Sequence, residues 1–302
     1  MTPVRPDRIV TSIEDRRSTI LDVIRNARRS IQLSLFRCND SKIVAELGRA
    51  SARGVTIDAL VTSRAKGRKS KLRKLRAALE EAGAFVHPYD DPVVKYHAKY
   101  LVADDGPAIV ASCNFTHKCF KKTCDALVMT YDPGVVAGLR ALFWADRDRK
   151  GLPAGLPSRL IIGPEQARSQ FTALVEQAQS SIRLIDPKVS DPGLVTLLNA
   201  RRASGLSVEI FASRRVGGLK SHGKIMLIDD RAAVIGSAAL AALSLDFRRE
   251  VAIVVDDPGA VAEVDRVFCA MEEAPMPGGQ SAASEGALAL TRHLFGAAAG
   301  VV

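Results

Sequence analysis

The chain writes one short polar pattern twice, at a constant offset of 125 residues. His97-Ala98-Lys99 is followed after four residues by Asp104, and then by Ala111-Ser112. His222-Gly223-Lys224 is followed after four residues by Asp229, and then by Gly236-Ser237. Each copy closes on a carboxylate, Asp125 or Glu250, again 125 residues apart. Five polar positions held in one ungapped register constrain the fold strongly: the structure around them must be built twice. Two imidazoles, two ammoniums and two hydroxyls repeated in this way point to one site for a phosphate ester, assembled from two halves.

The repeat extends upstream. Ala27-Arg28-Arg29-Ser30-Ile31 corresponds to Ala178-Gln179-Ser180-Ser181-Ile182, and Gly54-Val55-Thr56-Ile57 to Gly205-Leu206-Ser207-Val208, both 151 residues apart. The first copy therefore carries about 26 extra residues before its histidine. Apolar spacing predicts an amphipathic helix in each copy (Ile20 to Ala27; Phe171 to Ala178), then a strand, a second helix and a second strand. Further strands follow around the motif, and a closing helix follows Asp132-Pro133-Gly134 and Asp257-Pro258-Gly259. Such alternation predicts an α/β fold, each half a mixed sheet flanked by helices. The expected divisions are 1–150 for the first half, 151–163 for a Gly/Pro-rich linker, 164–274 for the second half and 275–302 for a Gly/Ala-rich tail with a short helix near 287–295.

Charge is distributed unevenly. The net charge is +10, yet residues 1–150 hold 28 Lys and Arg against 17 Asp and Glu, while residues 151–302 hold 15 against 16. Much of the excess lies in the extra segment, 64–90. From Arg64 to Arg76 it holds eight basic residues and no acid, and from Ser70 to Ala82 it reads as a helix with Leu72, Leu75 and Leu79 on one face. A basic stretch of this kind is a solvated face or a patch for phosphate: an anionic membrane surface, or nucleic acid through Arg64–Arg76. The basic run from Arg64 to Arg76 has no aromatics for base stacking. Five cysteines, no apolar stretch of membrane-spanning length and no leader-like N-terminus predict a cytoplasmic protein, peripheral to the membrane at most. Cys113, His117, Cys119 and Cys124 crowd together, but their spacing is poor for zinc, so no metal site is expected.

Alternate residues of a strand share a face, so His97 projects with Lys99 and His222 with Lys224. The lysines can neutralise the charge that develops on a phosphodiester under attack. One neutral histidine can attack phosphorus to form a phosphohistidine, while the other protonates the leaving oxygen and then deprotonates the acceptor. This cycle calls on no cofactor. A carboxylate on the other ring nitrogen would fix each tautomer, and Asp125 and Glu250, each 28 residues after its own histidine, are the candidates. Ser112 and Ser237 are expected to hydrogen-bond phosphate oxygens. Arg37 and Lys188, at equivalent strand ends, are further candidates for that role. Asp104 and Asp229 belong to the motif but suit a structural task, tying a strand end to backbone amides.

The doubled motif resembles the phospholipase D superfamily, marked by paired His-x-Lys-x4-Asp-x6-Gly-Ser motifs, over roughly residues 10 to 270. The second copy matches in full. The first has Ala111 for glycine, and Asp125 stands where glutamate is common. The family's asparagine after the serine is present as Asn114, a substrate-binding candidate, and replaced by Ala239 in the second copy. The resemblance implies two pseudo-twofold-related halves packed face to face, with both motifs in one cleft. By the usual family assignment His97 is the nucleophile and His222 the general acid/base; the reverse uses the same atoms. It further implies a phospholipase D or cardiolipin synthase-like enzyme, a phosphodiesterase or phosphatidyltransferase acting on phospholipid. A metal-independent endonuclease and a non-catalytic module binding anionic membranes or nucleic acid are the alternatives.

Overall fold

The two copies of the repeat build two sheets of one plan. The structure, a computed structural model, describes residues 5–64, 67, 69–212, 215–216 and 219–272. The first half runs β1 (Arg8–Val10), α1 (Ile13–Asn26), β2 (Ser30–Leu35), α2 (Ser41–Ala52), β3 (Thr56–Thr62), α3 (Lys69–Glu81), β4 (Phe85–Tyr89), β5 (Lys95–Tyr96), β6 (Tyr100–Ala103), β7 (Ala108–Ala111), β8 (Thr123–Cys124), β9 (Leu127–Thr130) and α4 (Pro133–Arg147). The second runs β10 (Leu160–Gly163), α5 (Ala167–Gln177), β11 (Ser181–Ile185), α6 (Pro192–Ala203), β12 (Ser207–Ile210), β13 (Arg215–Val216), β14 (Leu219–Ser221), β15 (Ile225–Ile228), β16 (Ala232–Gly236), α7 (Ala242–Phe247), β17 (Arg248–Val255) and α8 (Pro258–Glu272).

The sheet orders are β1-β9-β7-β6-β2-β3-β4 and β10-β17-β16-β15-β11-β12. Each places a parallel pair (β2 with β3; β11 with β12) beside antiparallel strands carrying the motif. Three helices start at an Asp-Pro-Gly sequence. Asp132, Asp191 and Asp257 accept from amides of the first turn, and proline at the first helical position needs no hydrogen-bond partner for its nitrogen. Strands β6, β7 and β15 are buried throughout, as expected for sheets covered on both faces. The outer face of the first sheet (Ile31, Leu33, Leu35) packs under α1 and α2, and that of the second (Ile182, Leu184) under α5 and α6. A third core is shared: Tyr100, Val110 and Val128 of one sheet meet Ile162, Ile235 and Ile253 of the other, with Phe143 of α4 and Phe268 of α8 among them.

Several boundaries differ from expectation. The linker is shorter than 151–163, because Leu160–Gly163 forms β10 and pairs antiparallel with β17. Four residues are too few to show an alternating pattern. The insertion holds the expected helix, α3, and also β4, an edge strand parallel to β3. Pro88 and the exposed Phe85 mask β4 in the sequence, and both are tolerated at an edge. Lys66 and Arg68 of the basic run lie outside the described residues, as does the 275–302 tail with its helix near 287–295.

Candidate active site

Two short parallel ladders cross between the halves and set the site. β5 pairs with the start of β17, Lys95 opposite Arg248 and Tyr96 opposite Arg249. One step further, His97 faces Glu250, and its amide donates to Arg249 O at 2.9 Å. In the mirror arrangement β14 pairs with β8, Lys220 opposite Thr123 and Ser221 opposite Cys124, so that His222 faces Asp125. His97 Nδ1 lies 2.8 Å from Glu250 Oε2, and His222 Nδ1 lies 3.0 and 3.1 Å from the oxygens of Asp125. The sequence reading pairs each histidine with the carboxylate of its own copy; the structure exchanges them. Behind the first ladder, buried Arg249 joins the halves, with Nε 2.8 Å from Asp146 and its other nitrogens donating to Glu165 and Gly163 O.

Both carboxylates are buried, which alone would raise their pKa values. For Glu250 the neighbouring His97 ring, Lys99 and Ser237 outweigh burial and hold it at about 2. For Asp125 burial is outweighed by His222, Thr123 and Arg16, so it too is lowered. Asp125 receives Ser112 Oγ at 2.9 Å and Thr123 Oγ1 at 2.6 Å, with Arg16 Nη1 at 3.8 Å; Glu250 receives Ser244 Oγ at 2.8 Å. Burial, only partly offset by Glu250, pushes His97 down to about 3, so its ring is neutral near pH 7. With Glu250 ionised, the Nδ1 proton points at the carboxylate and the lone pair sits on Nε2, the form a nucleophile needs. Lys99 is 1% exposed, and burial lowers its ammonium to about 7. It donates to His97 O, and Lys224 donates to His222 O at 2.8 Å, so each lysine is tied to its histidine's backbone.

Other candidates are placed differently. Asp104 accepts from the amides of Arg28, Arg29 and Ser30 at 2.7–2.9 Å, and Asp229 from those of Gln179, Ser180 and Ser181. A four-residue strand, spanning about 13 Å at roughly 3.3 Å per residue, separates each aspartate from its lysine. Grouped with the catalytic residues by the motif, both thus fasten the helix–strand junctions, the structural task they suit. Ser112 and Ser237 also depart from expectation. Both are buried; Ser112 donates to Asp125 and accepts from Ala126 N, while Ser237 accepts from Val251 N. Their hydroxyls support the carboxylate strands rather than face phosphate.

Asn114 and Arg37 line a cavity of about 840 Å³ that reaches His222. Its walls include Val44 and Ala45 of α2, Leu72, Leu75 and Ala78 of α3, and the ammonium-bearing Lys71, Lys74 and Lys118. Phe36 stands between this cavity and the other histidine, its ring 4.4 Å from that of His97. Arg37, Lys99 and Lys95 lie over the Phe36 ring at 4.6, 5.4 and 5.6 Å. Burial and the charges of Arg248, Arg37, Arg64 and Lys188 hold the Lys95 ammonium below its usual value. Lys188 is exposed and contributes through this field. Of the cysteine cluster, His117 is exposed, while buried Cys119 joins Asp125 and His222 with donor atoms within 4.8 Å of one another.

The family model described as cardiolipin synthase, PLD-like domain matches residues 20–147 and 210–271, more than half of the chain. The chain belongs to the phospholipase D-like family. A polyphosphate kinase of Mycolicibacterium paratuberculosis is 27% identical over 276 residues, covering 79% of this chain and 37% of that protein. The chain thus spans little over a third of these curated relatives. A phospholipase D of Rickettsia bellii is 33% identical over 114 residues, 37% of this chain and 54% of that one. Among solved structures, phosphatidylserine synthase of Haemophilus influenzae superposes with a TM-score of 0.67 at 14% identity, covering 98% of this chain and 95% of that one. Polyphosphate kinase of Porphyromonas gingivalis gives 0.71 at 18% identity, covering 87% and 46%. These likenesses establish the phospholipase D-like fold of two mixed α/β halves.

Family membership makes the residues absent from the motif more informative. Phe36, Lys95, Arg248, Arg16 and Thr123 all stand around the two histidines, and none is singled out by the sequence reading. One signal was present: Lys95 and Lys220 repeat at the same 125-residue offset, two positions before each histidine.

Proposed function

We propose that the chain is a phosphodiesterase or phosphatidyltransferase acting on phospholipid through a covalent phosphohistidine. His97 Nε2 attacks phosphorus as His222 passes its proton to the departing oxygen, and the P–O bond breaks as the P–N bond forms. Water or an alcohol then enters; His222 takes its proton, the new P–O bond forms, and the P–N bond breaks to return His97 as a neutral ring. Lys99 and Lys224 are assigned to the non-bridging oxygens, and Glu250 and Asp125 to orienting the imidazoles. Asn114 and Arg37 are assigned to binding substrate at the cavity mouth.

The cavity beside His222 carries this reading. Its size suits a substrate arm, its apolar wall suits acyl chains, and its lysines suit a phosphate at the mouth. The named phospholipase D and phosphatidylserine synthase relatives favour the same class. The polyphosphate kinase relatives favour a second reading, transfer on a phosphoanhydride chain, for which α3 would offer its basic side.

The test is a substrate panel in EDTA: phosphatidylglycerol, phosphatidylcholine, plasmid DNA and polyphosphate. Lipid turnover that His97→Ala and His222→Ala each abolish supports the proposal. Plasmid nicking or polyphosphate turnover without lipid turnover replaces it. Acid quench of a single turnover should trap label on His97; label on His222 reverses the two roles.

A further inference from the structure

Four large apolar side chains are strongly exposed among the described residues, and three of them meet in one place. Val93, from the loop before β5, is 66% exposed; Leu243 and Phe247, one helical turn apart on α7, are 65% and 48% exposed. The first belongs to one half and the other two to the second half. Together they edge a groove of about 710 Å³ whose remaining lining includes Arg64, Lys69, Lys95 and Arg248. Among the described residues no carboxylate lines it. Isolated exposed apolar residues need no explanation, but a cluster ringed by cations does.

The groove leads to the chemistry. Lys95 and Arg248 face each other across the β5–β17 ladder, two positions before His97 and Glu250. Lys95 also lies over Phe36, the ring packed on His97. The groove thus opens on the His97 side, whereas the lysine-bearing cavity opens on the His222 side.

We propose that this groove docks the protein on a bilayer surface containing anionic phospholipid. Val93, Leu243 and Phe247 enter the headgroup–acyl boundary, and Arg64, Lys69, Lys95 and Arg248 sit at headgroup level. Apolar side chains that insert and a basic rim that attracts are the two signals that make interfacial binding stable. Arg64 is already fixed for this task, its guanidinium donating to the carbonyls of Asp91 and Pro92 in the loop that carries Val93. The inference rests on the phospholipid reading for its purpose, since docking here would hold the His97 side of the site at headgroup level.

The experiment is co-sedimentation of the full chain with vesicles of phosphatidylcholine alone and of phosphatidylcholine with phosphatidylglycerol, for wild type, Leu243→Asp and Phe247→Asp. Turnover of a monomeric short-chain phospholipid is measured in parallel. The expected result is wild-type binding to the anionic vesicles only, weakened by salt, and about tenfold or more weaker in each variant, with monomeric turnover unchanged. Binding unaffected by both variants overturns the docking surface, as does equal binding to both vesicle types. Self-association abolished by the variants, with no vesicle binding, assigns the groove to a second copy of this chain and also overturns it. Vesicle binding of the expected pattern without turnover of any lipid leaves the surface standing and removes the phospholipid reading.

Discussion

His97 and Glu250 come from different copies of the repeat, 153 residues apart, yet lie 2.8 Å from each other. His222 and Asp125 complete the exchange at 3.0 Å. A parallel ladder of two residues precedes each contact, so the orientation of each imidazole depends on the packing of the opposite half.

The exchange predicts which step each carboxylate serves. Glu250→Gln should slow formation of the phosphohistidine by about 10²-fold or more, through loss of the His97 tautomer. Asp125→Asn should instead slow protonation of the leaving group, and a p-nitrophenyl diester, whose leaving group needs little protonation, should restore most of that loss. Rapid-quench measurement on both substrates separates the two. If the variants show the reverse pattern, His222 is the nucleophile and His97 the acid/base.

Lys99 predicts opposite pH trends for activity and stability. Its ammonium is held at about 7 in the fold against 10.5 ordinarily. As pH rises through about 7 the charge is lost, so kcat/KM should decline there. Between about 7 and 10.5 the unfolded chain binds a proton that the native one does not, so stability should rise across that window. Lys99→Met should flatten both trends, lose about 10²-fold in kcat/KM and be more stable than wild type below pH 7. His97, held at about 3, contributes no acid limb above about pH 4.

Asp104 and Asp229 should affect stability rather than chemistry. Each accepts several backbone amides and adopts a positive φ, +48° and +53°. Asp104→Ala should cost about 2 kcal/mol, from the lost acceptors and the strained backbone. Asp104→Asn, which tolerates that backbone, should cost less. Thermal melts should register both changes, with kcat/KM unaltered at a temperature where the variants remain folded.

The two copies should respond differently at the position before the serine. A Cβ on Gly236 would lie 2.3 Å from both Ala252 Cα and Val251 O, which are backbone atoms with little room to move. Gly236→Ala should therefore cost about 1–3 kcal/mol and disturb Glu250 on the neighbouring strand β17. The equivalent Ala111→Gly leaves a gap of one methyl group and should cost about 1 kcal/mol. Chemical denaturation of both variants checks the difference.

The repeat made the fold legible because its elements carry their own signals: apolar spacing for α1 and α5, Asp-Pro-Gly for α4, α6 and α8, continuous apolar runs for β7 and β15. The two histidines and two lysines were equally plain. The partner of each histidine was not, since both carboxylates follow at 28 residues and no local pattern specifies a two-residue ladder between distant segments. Arg16 was hidden for a related reason. On an amphipathic helix a guanidinium reads as surface, yet here it is buried, donating to Cys119 O and Thr123 O beneath Asp125. Ser112 and Ser237 misled because a hydroxyl near a motif suits substrate and scaffold alike, and only burial decides between them.

The crossed carboxylates also bear on how such a chain can change over time. Neither half, expressed alone, would contain a histidine with its own orienting acid, so a separated half could work only by pairing with another copy. Joining the halves in one polypeptide removes the need for the two to remain identical. One copy can then carry a basic helix, an alanine and a shorter acid while the other keeps the fuller motif, which gives a two-fold arrangement a front and a back.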